Sequence, residues 1–126
     1  MKILLLGSTG FIGSNLKTRL EKEGHTIFTA ERSSGVDIRR YNDIRFTIKY
    51  TKPDVIYNLA SHGGSVHYVR NNSADVFQDN VLMAINLYKA ISEVNKDIKV
   101  IQPFSNCSYP GKSDVQYEEE WLDGDV

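Results

Sequence analysis

One feature near the amino terminus constrains this chain more than any other. From Lys2 to Leu6 the sequence is a near-continuous apolar run, and Gly7-Ser8-Thr9-Gly10-Phe11-Ile12-Gly13 follows it at once. Such a run fits a strand buried on both faces. Beyond the glycines, Phe11, Ile12, Leu16 and Leu20 recur at helical spacing, with Lys17, Arg19, Glu21 and Lys22 on the other side. That pattern is an amphipathic helix, and Gly24 stands where a helix C-terminus needs a residue free to take positive φ. Strand, glycine turn and helix in this order have a physical reading. Gly7 permits a tight turn, Gly10 lets the backbone approach a ligand, and Gly13 lets the helix pack closely on the strand. Free N–H groups at the helix start, with the positive end of its dipole, favour a pyrophosphate. The spacing is G-x-x-G-x-x-G rather than G-x-G-x-x-G. No Gly-Lys-Ser/Thr follows, so it is not a P-loop.

The rest of the chain continues the alternation of strand and helix. Thr26 to Ala30 is a second strand, rich in β-branched and aromatic residues. Val36 to Ile38 reads as a brief third strand, and Tyr41 to Tyr50 as a helix on Ile44, Phe46 and Ile48. Pro53 opens a fourth strand, Asp54 to Leu59. A long helix runs from about Ser73 to Asn95, a fifth strand from Lys99 to Phe104, and an acidic loop from Gly111 to Val126. With right-handed crossovers, this predicts one α/β domain over residues 1–126. Its core is a doubly wound parallel sheet of about five strands in the order 3-2-1-4-5. The apolar positions of the long helix cover more than the ~100° stripe needed to face one sheet. Its second face is expected to pair with another copy of the chain, as a homodimer through residues 73–95.

Charge and composition exclude several classes. Fifteen Lys plus Arg stand against 16 Asp plus Glu, a net charge of −1, so there is no electrostatic footprint for nucleic acid and no polybasic run for a membrane surface. The longest apolar run is far short of the ~18 residues of a membrane span. The single cysteine, Cys107, excludes an internal disulfide and a multi-cysteine metal site. We therefore expect a cytoplasmic protein with no metal, no nucleic-acid partner and no membrane partner. With nine Gly counted in place of seven Tyr, the apolar share is about 42%, below the usual ~45–50%. Either a small two-layer domain buries what it has, or part of the fold lies outside this chain.

Further residues group at the carboxyl ends of the expected strands. Glu31 and Arg32 close the second strand. A carboxylate there accepts from adenosine ribose hydroxyls and favours NAD, while an arginine pairs with the 2′-phosphate of NADP. Glu31 holds the usual acidic position, which tilts the reading to NAD. Asp37, beside Ile38, either accepts from the adenine amino group or caps the next helix. The segment Asn58-Leu59-Ala60-Ser61-His62-Gly63-Gly64 follows the fourth strand, and its small residues leave room for a ligand at the switch point. Ser105 and Cys107, in Ser105-Asn106-Cys107-Ser108-Tyr109-Pro110, are expected to face the same crevice. There a Ser hydroxyl can hydrogen-bond a carbonyl and a Cys can move a proton, although a plain polar turn explains the spacing equally well. His25, His62 and His67 lack metal-ligand spacing and read as surface or core residues.

Taken in order, these residues resemble the extended short-chain dehydrogenase/reductase superfamily of nucleotide-sugar epimerases, dehydratases and reductases. Gly7, Gly10 and Gly13 with Phe11-Ile12 match its T-G-F-I-G loop, and Thr9 falls within it. Asp37-Ile38 matches its adenine-side motif, Leu59-Ala60-Ser61 its L-A-A/S segment, and Asp79-Asn80 its D-N pair. Within the superfamily, Gly63-Gly64, the Ala74-Asp75-Val76-Phe77 segment and Ser105, Cys107 and Tyr109-Pro110 are similar to the GDP-fucose synthase-like epimerase-reductases. Asn106 departs from the serine of that motif, and Glu31 stands where those enzymes keep no acid. The resemblance implies a Rossmann fold and NAD or NADP held by the glycine loop, with Asn80 beside the cofactor. It also implies a nucleotide-sugar substrate and hydride transfer at a sugar carbon, with Ser105 as carbonyl hydrogen-bond donor and Cys107 as acid/base. The superfamily's Tyr-x-x-x-Lys pair would fall beyond Val126. On this resemblance the chain is the N-terminal, cofactor-binding part of a longer enzyme. It lacks the substrate lobe and is expected to bind cofactor without turnover. The alternative reading is a non-catalytic dinucleotide-binding or dimerisation module.

Overall fold

Four parallel strands, β1 (Lys2–Leu6), β2 (Thr26–Ala30), β3 (Val55–Asn58) and β4 (Lys99–Ile101), form one sheet in the order β2-β1-β3-β4. The computed structural model describes residues 1–105, 108–110 and 115–121. The register pairs Leu4 with Phe28 on one side and with Ile56 on the other. Ile3 to Leu6, flanked by both neighbours, are fully buried, as the apolar run requires.

Four helices connect the strands: α1 (Phe11–Lys22), α2 (Tyr41–Thr51), α3 (Val66–Asn71) and α4 (Ser73–Val94). Helices α2 and α4 pack side by side. Ile44 and Ile48 of α2 and Leu87, Ala90 and Ile91 of α4 meet Leu4, Leu6 and Ile56 in the main core. A fully buried aliphatic side chain of this kind stabilises by about 1.5–3 kcal/mol. Helix α1 ends where expected. Gly24 has φ +80°, and the His25 N–H donates to the Leu20 carbonyl at 3.2 Å, the six-to-one closure of a Schellman end.

The predicted third strand, Val36 to Ile38, does not form, so among the described residues the sheet has four strands instead of about five. Its amides are claimed locally. The Val36 N–H donates to the Glu31 carbonyl at 3.1 Å and the Asp37 N–H to an Asp43 carboxylate oxygen at 3.0 Å. A backbone whose donors are spent in turns has none left for a ladder. The other strands keep the expected order. The fifth predicted strand, Lys99 to Phe104, stops at Ile101, just before Pro103, which has no N–H to pair. The short helix α3 was not foreseen. Ser65 caps it, accepting from the Tyr68 N–H at 3.2 Å. In the acidic segment Glu118–Glu120 forms a single 3-10 turn, and Trp121 sits edge-on to Phe104 at 5.2 Å, packing that turn down. Among the described residues no helix is long and apolar enough to cross a membrane.

Candidate functional site

The carboxyl ends of β1, β2 and β3 converge on the glycine loop. Gly7 has φ +78°, and a Cβ built there would stand 2.6 Å from the Leu59 carbonyl oxygen. Two chain segments therefore touch backbone to backbone, which only a glycine allows. At Gly13 a Cβ would stand 2.1 Å from the Gly7 carbonyl oxygen, so the first turn of α1 lies directly on the loop. Gly10 caps α1 without a side chain, and the first turn carries no acidic residue. Its leading amides are thus left for an anionic ligand.

Two grooves open from this loop. The first, about 560 Å³, runs between the ends of β1 and β2, the Val36–Arg39 turn and the Leu59–His62 segment. The second, about 550 Å³, shares Gly7, Gly10 and Leu59–Ser61 with it and continues past Asn58 and Asn80 to Gln102 and Pro103. Both are in the ~300–1,000 Å³ range of small-molecule sites. The residues present fit a dinucleotide. A backbone cradle that side chains would fill divides one groove from the other, and buried Asn58 Oδ1 has no partner among the described residues.

The structure brings most of the sequence-predicted residues together. Thr9, Gly10, Glu31, Arg32, Asp37 and Ile38 line the first groove, and Leu59, Ala60 and Ser61 line both. Glu31 accepts a hydrogen bond from the buried Ser8 hydroxyl and one from the Ser33 hydroxyl at 3.2 Å, which ties the β2 end to the glycine loop. Phe11 and Ile12 border the second groove but are largely exposed. Asn80 serves as a clamp. Its Oδ1 accepts from the His62 N–H at 2.9 Å, and its Nδ2 donates to the His62 carbonyl at 2.8 Å. Ser105 follows the second groove's last residues, and its carbonyl accepts from the Ser108 N–H at 3.1 Å. Cys107 lies outside the described residues.

Asp37 does not cap α2, whose N-cap is Arg40. Its carboxylate accepts from the Arg39 guanidinium, with Nη2–Oδ2 at 2.6 Å and Nε–Oδ1 at 3.0 Å, and from the Arg39 N–H. This hydrogen bonding holds the Asp37 carboxyl at about 2 and raises Arg39 above its usual value. A carboxyl whose folded value lies below its unfolded one lends stability above its unfolded value and loses it as pH falls through the folded one. We expect the chain to lose on the order of 1–2 kcal/mol between about pH 4 and pH 2 through this group, discounted because Arg39 is partly exposed. Asp37→Asn should flatten that limb of an equilibrium unfolding series.

Two groups of side chains escaped the sequence reading. His62 joins Asp79 through Nδ1 at 2.8 Å and the Tyr68 hydroxyl through Nε2 at 2.9 Å. Gln102 Oε1 accepts from Asn58 Nδ2 at 2.9 Å and from the Tyr88 hydroxyl at 3.2 Å. The sequence marks Asp79 only in the Asp79-Asn80 pair, and His62 and Asn58 only as members of the small-residue segment; Tyr68, Tyr88 and Gln102 leave no signal, because they are scattered along the chain.

Comparisons with known proteins agree with this geometry. The sequence profile described as "NAD dependent epimerase/dehydratase family" matches residues 3–126. The chain is 30% identical over 122 residues to a GDP-L-colitose synthase of Yersinia pseudotuberculosis, covering 97% of this chain and 39% of that protein. It is 34% identical over 124 residues to a GDP-6-deoxy-D-talose 4-dehydrogenase of Aggregatibacter actinomycetemcomitans, covering 97% and 41%. A Campylobacter jejuni GDP-mannoheptose C4 reductase with NADP bound superposes with a TM-score of 0.83 at 21% identity, covering 99% of this chain and 40% of that one. This last likeness shows the fold. The chain spans about two-fifths of the length of these curated relatives.

Proposed function

The chain belongs to the NAD dependent epimerase/dehydratase family, and on that premise we propose that it forms the dinucleotide-binding part of an enzyme that epimerises or reduces a nucleotide-linked sugar. One observation carries the reading. The uncapped first turn of α1 opens between two grooves that meet at Gly7 and Gly10. A pyrophosphate on that turn would lay adenosine in the groove of Glu31 and Asp37, and nicotinamide in the groove of Asn58 and Asn80. The bound dinucleotide supplies hydride chemistry. The chain's own residues bind it and orient it, and we assign Ser105 and Cys107 to the reacting sugar. The GDP-sugar names of the relatives support a GDP-linked substrate.

NAD is the proposed cofactor over NADP. Glu31 stands at the end of β2, where the ribose hydroxyls would reach it, and a 2′-phosphate would meet its charge. Titration of the chain should give at least about tenfold tighter binding of NAD than of NADP, and Glu31→Ala should remove most of that gap. Tighter NADP binding by the unaltered chain would reverse the assignment. No detectable binding of either would reject the cofactor reading.

A homodimer through α4 completes the proposal. Phe77, Val81, Ile85 and Tyr88 follow one another at helical spacing and are all exposed, on a helix whose other side is committed to α2 and the sheet. A patch of this kind marks an interface. Sedimentation should show a dimer that Ile85→Glu dissociates. A monomer at high concentration would remove this part of the reading.

A further inference from the structure

We propose that Asp79 is a positioning residue that braces the two walls of the adenosine groove against each other, and that adenine affinity depends on it. The inference rests on the dinucleotide reading above. One wall is the Val36–Arg39 turn; the other is the Leu59–His62 segment. They come from different strand ends; Asn86 of α4 holds the first by donating to the Ile38 and Arg39 carbonyls, and a single acceptor atom of α4 is shared by side chains of both walls. Asp79 Oδ2 accepts from Arg39 Nη1 at 2.8 Å and from His62 Nδ1 at 2.8 Å.

Each arm of the brace is fixed beyond that atom. Arg39 is forked onto Asp37 by Nε and Nη2, so its guanidinium plane is held from two sides. His62 has its main chain pinned by Asn80 and its Nε2 joined to the Tyr68 hydroxyl. In the neutral imidazole with Nδ1–H donating to the carboxylate, Nε2 accepts and the Tyr68 hydroxyl donates. The Tyr68 ring is seated in turn on Gly64, where a Cβ would come within 2.7 Å of Cδ1. Neither arm can swing while Asp79 holds both, and the separation of the walls fixes the slot a planar base must enter. Asp79 itself borders the groove, and the role proposed for it is exerted through Arg39 and His62.

The test is calorimetric titration of the full chain with AMP and with NAD, well below its unfolding midpoint, beside Asp79→Asn. The variant loses the charge and offers an amide where two donors converge. AMP and NAD affinities are expected to fall about tenfold. A residue that merely stabilised the fold would lower the melting temperature and leave AMP affinity in the folded protein unchanged, and that result overturns the proposal. If Asp79→Asn does not fold, Arg39→Gln and His62→Gln each cut one arm and should each weaken AMP about threefold; unchanged affinity in both overturns it. Failure of the unaltered chain to bind either AMP or NAD overturns the cofactor reading and this inference with it. Binding by the parent with no change in Asp79→Asn overturns the inference alone.

Discussion

Gly13→Ala is expected to abolish dinucleotide binding and to cost about 3 kcal/mol of stability, the upper end of ordinary overpacking. The new Cβ would lie 2.1 Å from the Gly7 carbonyl oxygen and 2.8 Å from Ser8 Cα. Both atoms are backbone, so no side chain can turn aside. Either the first turn of α1 lifts away from β1 or the loop moves outward. Each motion displaces the amides that would hold the pyrophosphate, and affinity should fall by more than about a hundredfold, some 3 kcal/mol. Gly10→Ala separates the two effects. There the Cβ would stand 3.4 Å from the same carbonyl, within van der Waals reach. Its stability should barely change, while its methyl, set in both grooves, blocks the ligand. Chemical unfolding paired with NAD titration checks both. A Gly13→Ala protein of parental stability and affinity would show that the loop does not carry the site.

The second large effect belongs to Asn80. Asn80→Ala should lose about 2 kcal/mol of stability and about thirtyfold in NAD affinity. One amide satisfies the N–H and the carbonyl of His62 together, and its Nδ2 also donates to the Val76 carbonyl at 2.7 Å. Without it, the His62 ring on Asp79 is the remaining hydrogen-bonded tie between this wall and α4 among the described residues. Asn80→Asp keeps the acceptor, loses the donor and sets a carboxylate against the His62 carbonyl, so it should be no better than alanine. Equal affinity for parent and Asn80→Ala would mean that the wall holds its place without the clamp.

The two variants also mark what the sequence made legible. Strand, glycine loop and helix could be read because their signal is local. Four aliphatic residues, three glycines at fixed spacing and an amphipathic repeat each constrain only their neighbours. The strand order followed from chirality. The third strand was misread because Val36 and Ile38 have strand-like side chains, whereas the decisive partners of that backbone, Glu31 and Asp43, belong to turns and a helix start. Helix α3 was missed because six residues are too few to show a period. The resemblance marks Asn80 as a cofactor neighbour, but its hold on the His62 main chain is not legible in residue type or spacing. The Arg39–Asp79–His62 junction was invisible for the same reason. Contacts between distant residues leave no periodic trace, and an unremarkable histidine gives no sign of the company it keeps.

Burial across the sheet has a kinetic consequence. In β1, Ile3 to Leu6 are wholly enclosed, whereas β2 is only half-buried along most of its length and β4 is part-exposed throughout. Amide hydrogen exchange should therefore be slowest in the central strand and quicken toward both margins. The proposed anchor for a diphosphate hangs from the element that opens last, while the β2 margin, with the turn beyond it, can breathe. An incoming ligand would then find a fixed floor and compliant flanks, and protection gained on binding should concentrate at the flanks.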